Sequence, residues 1–212
     1  PSESVLPPAD AEVIANKPPA VAPQRPAECP DRIVLTWTGD PARSQAVTWR
    51  TETSVAVGLA EIAVAGDNAE FAKRARQLKA STTVLKTDVA SAHYHTVEFA
   101  ALSPHTKYAY RVGDGRTWSE WFHFTTASDQ PEPFSFVYFG DAQNDLKSMW
   151  SRVVREAIFD APDARFLLHA GDLVNNCARD VEWGEWFHAG GWLNAMIPTI
   201  ATPLLANPCL LS

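Results

Sequence analysis

Phe134-Ser135-Phe136-Val137-Tyr138-Phe139-Gly140-Asp141 and Arg165-Phe166-Leu167-Leu168-His169-Ala170-Gly171-Asp172 are two short apolar runs, each closed by the same dipeptide. The first is apolar at five of its six positions through Phe139, the composition of a strand buried on both faces. Between the runs, Leu146, Met149, Trp150, Val153, Val154, Ala157 and Ile158 recur at spacings of three and four, which lays them along one helical stripe. Asp180 to Met196 reads as another helix and Thr199 to Thr202 as the start of a third strand. The order is β-α-β-α-β, and connections of this kind make the strands parallel.

The repeated ending carries the chemistry. Asp141 and Asp172 lie 31 residues apart, room for one βαβ unit. In an open parallel sheet, groups at the carboxyl ends of neighbouring strands converge on the crevice where ligands bind. Two carboxylates placed there repel unless a cation sits between them. The glycine beside each aspartate is expected to let the backbone turn sharply and approach a ligand. The plainer alternative is that each Asp caps the helix or turn that follows.

Upstream, a polar hinge, Ala127-Ser128-Asp129-Gln130-Pro131-Glu132-Pro133, separates this α/β pattern from one of a different period. Seven β-type runs precede it: Arg32 to Trp37, Gln45 to Arg50, Val57 to Val64, Thr82 to Thr87, Tyr94 to Ala100, Lys107 to Gly113 and Trp118 to Thr125. Seven short strands at this density make a β-sandwich. Tyr108, Tyr110 and Val112 share a face of the sixth run, and Gly113-Asp114-Gly115 turns the chain. Residues 1–30 hold eight of the sixteen prolines and no periodicity, which reads as an extended arm. The chain begins at Pro1 without an apolar leader, as either a processed export product or a fragment would.

Charge narrows the partners. Eighteen Lys and Arg against 25 Asp and Glu give a formal charge of −7, which argues against nucleic acid. Three cysteines, Cys29, Cys177 and Cys209, form no CxxC pair and leave the redox compartment open. From Phe187 to Ser212 no charged side chain occurs, but Pro198, Pro203 and Pro208 would interrupt a membrane-spanning helix. Leu204, Leu205, Leu210 and Leu211 instead suggest self-association through an apolar tail. GxSxG, HExxH and the Walker phosphate loop are missing from the sequence.

Two resemblances follow from these residues. Leu102-Ser103-Pro104-His105-Thr106-Lys107-Tyr108-Ala109-Tyr110 resembles a strand-start signature of fibronectin type III domains, over residues 31–127. Phe139-Gly140-Asp141-Ala142-Gln143 and Leu168-His169-Ala170-Gly171-Asp172-Leu173-Val174-Asn175 resemble the first two blocks of calcineurin-like metallophosphoesterases. Together the layout is similar to a purple acid phosphatase-type protein. The fold implied is an all-β fibronectin III-like sandwich followed by an incomplete α/β metallophosphoesterase domain, with the arm at 1–30, the sandwich at 31–127 and the α/β part at 134–212. The resemblance implies hydrolysis of phosphate monoesters at two metal ions, iron with zinc, manganese or iron, by a metal-bound hydroxide. It makes Asp141 a ligand of one metal and Asp172 the bridge, and it implies a secreted or periplasmic protein.

Departures from the family pattern alter these expectations. The tyrosine that gives the purple enzymes their colour is replaced by Asn175, and a histidine two residues after the first aspartate by Gln143; both amides fit a supporting position beside the metals better than a ligand position. The Gly-Asn-His block expected after the third strand, which carries the catalytic histidine, is not found, and Asn207 stands out of register with it. The change of character after Pro203 reads as a frame break or truncation, with a genuine short paralogue as the alternative, and little turnover is expected from this chain alone. A non-catalytic binding module and a metal-binding pseudoenzyme are the rival readings.

The remaining polar and aromatic residues have structural readings. His169 is expected to be a satisfied core histidine, His188 a surface residue, and Trp183, Trp186, Phe187 and Trp192 packing against the sheet. His93 and His95 share a strand face, where a chance metal site is the lesser reading.

Overall fold

The structure, a computed structural model, describes residues 24–202. Most of the arm and the apolar tail, with Leu204, Leu205, Asn207, Leu210 and Leu211, lie outside the described residues.

Eight strands build a sandwich: β1 (Asp31–Thr36), β2 (Gln45–Glu52), β3 (Leu59–Val64), β4 (Arg76–Lys79), β5 (Ser81–Lys86), β6 (Ser91–Phe99), β7 (Lys107–Gly113) and β8 (Phe122–Thr125). They pair antiparallel in two four-stranded sheets, ordered β1-β2-β6-β5 and β4-β3-β7-β8. The count corrects the seven runs read from the sequence. Arg76-Gln77-Leu78-Lys79 has no alternation because it is an edge strand, paired only with β3 and mostly exposed. At the buried Ala80 the chain then crosses to the other sheet as β5. The run from Trp118 is also shorter, since only an isolated bridge from Gly113 to Trp118 precedes β8.

The core between the sheets holds Leu35, Val47, Trp49, Ile62, Phe99, Tyr108, Tyr110, Val112, Phe122 and Phe124. Tyr108, Tyr110 and Val112 do face it together, as the alternation in β7 requires. At the corner before β7, the Ser103 amide donates to the Tyr108 hydroxyl at 2.9 Å, a tie that closes such corners in sandwich domains.

The second unit is a three-stranded parallel sheet, ordered β11-β10-β9, with β9 (Ser135–Phe139), β10 (Ala164–His169) and β11 (Thr199–Ala201). A π-type turn (Leu146–Trp150) runs into α1 (Ser151–Asp160), and α2 (Asp180–Gly190) and α3 (Trp192–Met196) follow β10. Leu146, Trp150 and Val154 pack on Val137, Phe139 and Leu167. Met149 and Val153, read as part of the same stripe, point to solvent, so the buried stripe is the narrower set spaced by four. The single helix expected over Asp180–Met196 breaks at Gly191, whose φ of 51° and ψ of −134° suit glycine and end α2.

Among the described residues, helices cover only one face of this sheet. On the other, Phe134, Phe136 and Tyr138 are 62%, 45% and 64% exposed, which corrects the reading of 134–139 as buried on both sides. Phe136 stacks on Phe166 at 4.8 Å and Trp37 meets Phe166 edge-on at 5.3 Å, so an aromatic face stands open beside the sandwich. A parallel sheet with one bare face is what an incomplete α/β domain presents.

The two units share a core. Ala195 belongs to the sandwich core with Met196 packed against it, and the buried Tyr110 hydroxyl donates to the Ala195 carbonyl at 2.6 Å. At the start of α2, Arg32 and Asp180 form a buried ion pair, each side chain 3% exposed.

Candidate metal centre

Strands β9 and β10 run parallel with His169 opposite Phe139, and the Ala170 amide donates to the Phe139 carbonyl at 2.8 Å. Gly140-Asp141 and Gly171-Asp172 therefore leave neighbouring strands, whose backbones lie roughly 5 Å apart, at the same end of the sheet. Thr202, after β11, is tied to this end by its amide, which donates to the His169 carbonyl at 2.8 Å.

The sequence repeat is also a conformational repeat. Asp141 has φ 49° and Asp172 φ 47°, a left-handed backbone that aspartate tolerates and that throws both residues off the line of their strands. Of the two glycines only Gly171, with φ 99°, needs glycine's freedom; a Cβ at Gly140 would meet nothing within 4 Å. Neither aspartate caps a helix. Asp145 precedes the π turn and Arg179 precedes α2, and neither position shows a side-chain cap. Among the described residues neither carboxylate has a hydrogen bond or a cationic partner.

Gln143 and Asn175 lie in the two loops and meet. The Asn175 Nδ2 donates to the Gln143 carbonyl at 2.8 Å and to Asn144 Oδ1 at 3.1 Å, which fastens the loop after β10 to the loop after β9. Gln143 takes part through its backbone, half-buried.

His169 points the other way, into the helix-covered core, where Phe139, Trp186 and Trp150 surround it at 5.3, 5.4 and 6.1 Å. It is 2% exposed and neither ring nitrogen has a partner among the described residues, so it is buried but not satisfied. Burial pushes its pKa down from 6.5 to about 4. His188 is exposed. Trp186 is buried in the helix core and Trp183 and Phe187 pack against it, whereas Trp192 is 59% exposed and does not pack the sheet. His93 and His95 do share a face, ring to ring at 5.9 Å. His95 is spent on Thr51 at 2.8 Å and Thr82 at 2.9 Å, and His93 Nδ1 lies 2.8 Å from the Val55 carbonyl, so both are structural.

A dinuclear centre takes about four to six donors per ion. The described residues contain no cluster of three or more His, Cys, Asp or Glu able to hold a metal. Asp141 and Asp172 with the nearby amides are fewer donors than such a centre takes. A separate cleft of about 290 Å³, lined by Arg32, Lys86, Tyr94, Asp180, Trp183 and Phe187, lies between sandwich and α2. Its buried charges answer one another, and sequence reading missed them: Arg32 forks onto Asp180 at 2.7 and 2.8 Å, and Arg50 reaches the same carboxylate at 3.4 Å. No local pattern could have paired Arg32 with a residue 148 positions away.

Comparison with known proteins agrees with this architecture. Residues 30–126 match the family model described as purple acid phosphatase, N-terminal domain. Among solved structures, the purple acid phosphatase PPD1 from seeds of yellow lupin (Lupinus luteus) superposes with a TM-score of 0.67 at 18% identity, over 82% of this chain and 35% of that one. A structure of PhoD superposes with a TM-score of 0.53 at 14% identity, over 85% of this chain and 40% of that one. At such identities the likeness is one of fold, and the chain spans about a third of the first structure and two fifths of the second. None of the curated proteins matches the chain. Residues 30–126 thus match the purple acid phosphatase N-terminal domain model, and the chain shares with the lupin structure the fold of such a domain leading into an α/β unit.

Proposed function

We propose that the chain serves metal-dependent phosphomonoester hydrolysis of the acid phosphatase type, to which it supplies Asp141 and Asp172 as the first carboxylates of a metal centre, with Gln143 and Asn175 supporting them. The observation that carries this reading is the pair of unpartnered carboxylates leaving adjacent parallel strands at one sheet end, behind a purple acid phosphatase N-terminal domain. Two anions so placed favour a cation between them. Family resemblance supplies the rest of the proposal: a phosphate monoester as substrate, iron with zinc, manganese or iron as metals, and a secreted or periplasmic location. Among the described residues no helix is long and apolar enough to cross a membrane.

The second reading is a non-catalytic metal-binding protein, favoured by the incomplete donor set. Metal content per chain, measured together with nitrophenol release from a generic phosphomonoester at acidic and neutral pH, separates the two. Metal with turnover supports the hydrolase, metal without turnover the second reading, and absence of both defeats the assignment of Asp141 and Asp172. Asp172→Asn is expected to abolish whatever metal the unaltered chain retains; unchanged content would refute its bridging role.

A further inference from the structure

Strand β8 is the outer strand of its sheet, and its free backbone edge borders a groove instead of another strand. The Thr126 amide donates to the Thr106 carbonyl at 3.1 Å, and Phe124 and Phe122 stand opposite Tyr108 and Tyr110. Antiparallel bonding alternates, so Phe122, Phe124 and Thr126 turn their backbone groups to β7 while His123 and Thr125 turn theirs away. Neither of those two has a backbone partner among the described residues. His123, Phe124 and Thr125 line, in succession, one groove of about 330 Å³. Side chains of a strand alternate between its faces, so three consecutive residues border one space along the strand's edge.

The opposite wall is apolar. It comes from the end of α1 and from α3, and its foremost side chain is Trp192, 59% exposed and without a ring contact or hydrogen bond among the described residues. Ile158, Met196 and Ile197 continue that wall. Lys107 and Arg165 bring two positive charges against the one carboxylate of Asp163, in a chain whose formal charge is −7. Lys107 has no acidic partner among the described residues, and the nearest for Arg165 is Glu132 at 3.8 Å. Burial, and then Lys107, hold the His123 pKa down, so that ring adds no charge at neutral pH. The groove lies where β10 begins, whereas Asp172 follows its other end.

We propose that this groove binds a short extended peptide, which adds to β8 as a further strand, lodges one bulky apolar side chain against Trp192 and sets a carboxylate on Lys107 or Arg165. In recognition of this kind, main-chain bonds supply affinity and alternate side chains supply specificity. A small organic anion would use the charges and leave the amides idle; an apolar ligand would use the wall alone. The extended acidic peptide uses all three.

The test follows amide and indole shifts of the isotope-labelled full chain as capped peptides are added. The probes are acetyl-Glu-Val-Leu-Val-Glu-amide, the same peptide with both Glu replaced by Gln, and one with alternate backbone amides N-methylated. The acidic peptide is expected to bind with a dissociation constant of about 1 mM or tighter and to shift the His123 and Thr125 amides and the Trp192 indole together. The Gln peptide is expected to bind about fivefold more weakly, and N-methylation to abolish binding. Thr125→Pro removes one outward amide and spares the bonds to β7, a change that an edge strand tolerates, and is expected to weaken the acidic peptide about tenfold. Trp192→Ala, at an exposed site, is expected to weaken it about tenfold with an unchanged melting temperature. If Thr125→Pro does not fold, Trp192→Ala and the N-methylated peptide decide. No shift at those three groups with about 5 mM acidic peptide would overturn the proposal. Equal binding of the N-methylated peptide would overturn strand addition. Shifts of the same amides with protein concentration alone would make a second copy of the chain the occupant and overturn it as well.

Discussion

Tyr110 lies in the middle of the sandwich core and donates its hydroxyl to the carbonyl of Ala195, 2.6 Å away and 85 positions along the chain. Burial lifts its phenol well above the usual range, so it remains a donor at any working pH. Tyr110→Phe leaves that carbonyl buried and unpaired, and is expected to cost about 1–3 kcal/mol in urea unfolding with an unchanged m value.

Acid should weaken the α/β core through His169. Its folded pKa, about 4, lies below the ordinary 6.5, so the unfolded chain binds a proton that the folded chain refuses. Stability is therefore whole above pH 6.5 and falls as the pH drops towards 4, by on the order of 3 kcal/mol for this group. His95, also lowered to about 4 by burial and then by the neighbouring His93, adds a slope of the same sign. Thermal melts between pH 7 and 4 read the sum. His169→Phe is expected to flatten the slope and to add about 1 kcal/mol at neutral pH, because two unpartnered nitrogens leave an aromatic pocket; a less stable variant would mean that buried water satisfies them.

Gly58 is required by His95 rather than by its own backbone. A Cβ there would stand 2.6 Å from the imidazole Cγ, and that ring is locked between two threonines. Gly58→Ala is expected to destabilise the sandwich by about 1–3 kcal/mol, as overpacking of a core does. A neutral result in denaturant titration would show that His95 can turn aside.

The bare sheet face is expected to make the protein associate. Tyr138→Glu should reduce concentration-dependent association in sedimentation velocity and leave the melting temperature nearly unchanged, since this side chain is 64% exposed. Undiminished association would place its cause elsewhere.

Much of the fold was legible because local period and burial agreed. Lys107–Gly113 alternates and lies in a two-sided sandwich; Leu146, Trp150 and Val154 recur by four and face a sheet. Arg76–Lys79 was illegible because an exposed edge strand imposes no pattern on its side chains. The run from Phe134 misled because its composition is the same whether a second layer covers it or not. Gly140-Asp141 and Gly171-Asp172 announced themselves by repetition, and the structure sets them side by side at the ends of β9 and β10. The Asn175 staple and the Arg32–Asp180 fork left no trace in sequence, since each joins residues made neighbours only by the folded chain.

Because α3 lodges Ala195 within the sandwich, the polar hinge at 127–133 is a seam in sequence and not in mechanics. A protease nicking that hinge would leave the halves clasped, and expressing residues 31–127 by themselves would open a hole beside Tyr110 and strand the buried Arg32 without Asp180, while Arg50 would keep Asp31. The first domain is a partner folded around its neighbour's helix, and dissection at the obvious boundary would yield an unstable fragment rather than an autonomous module.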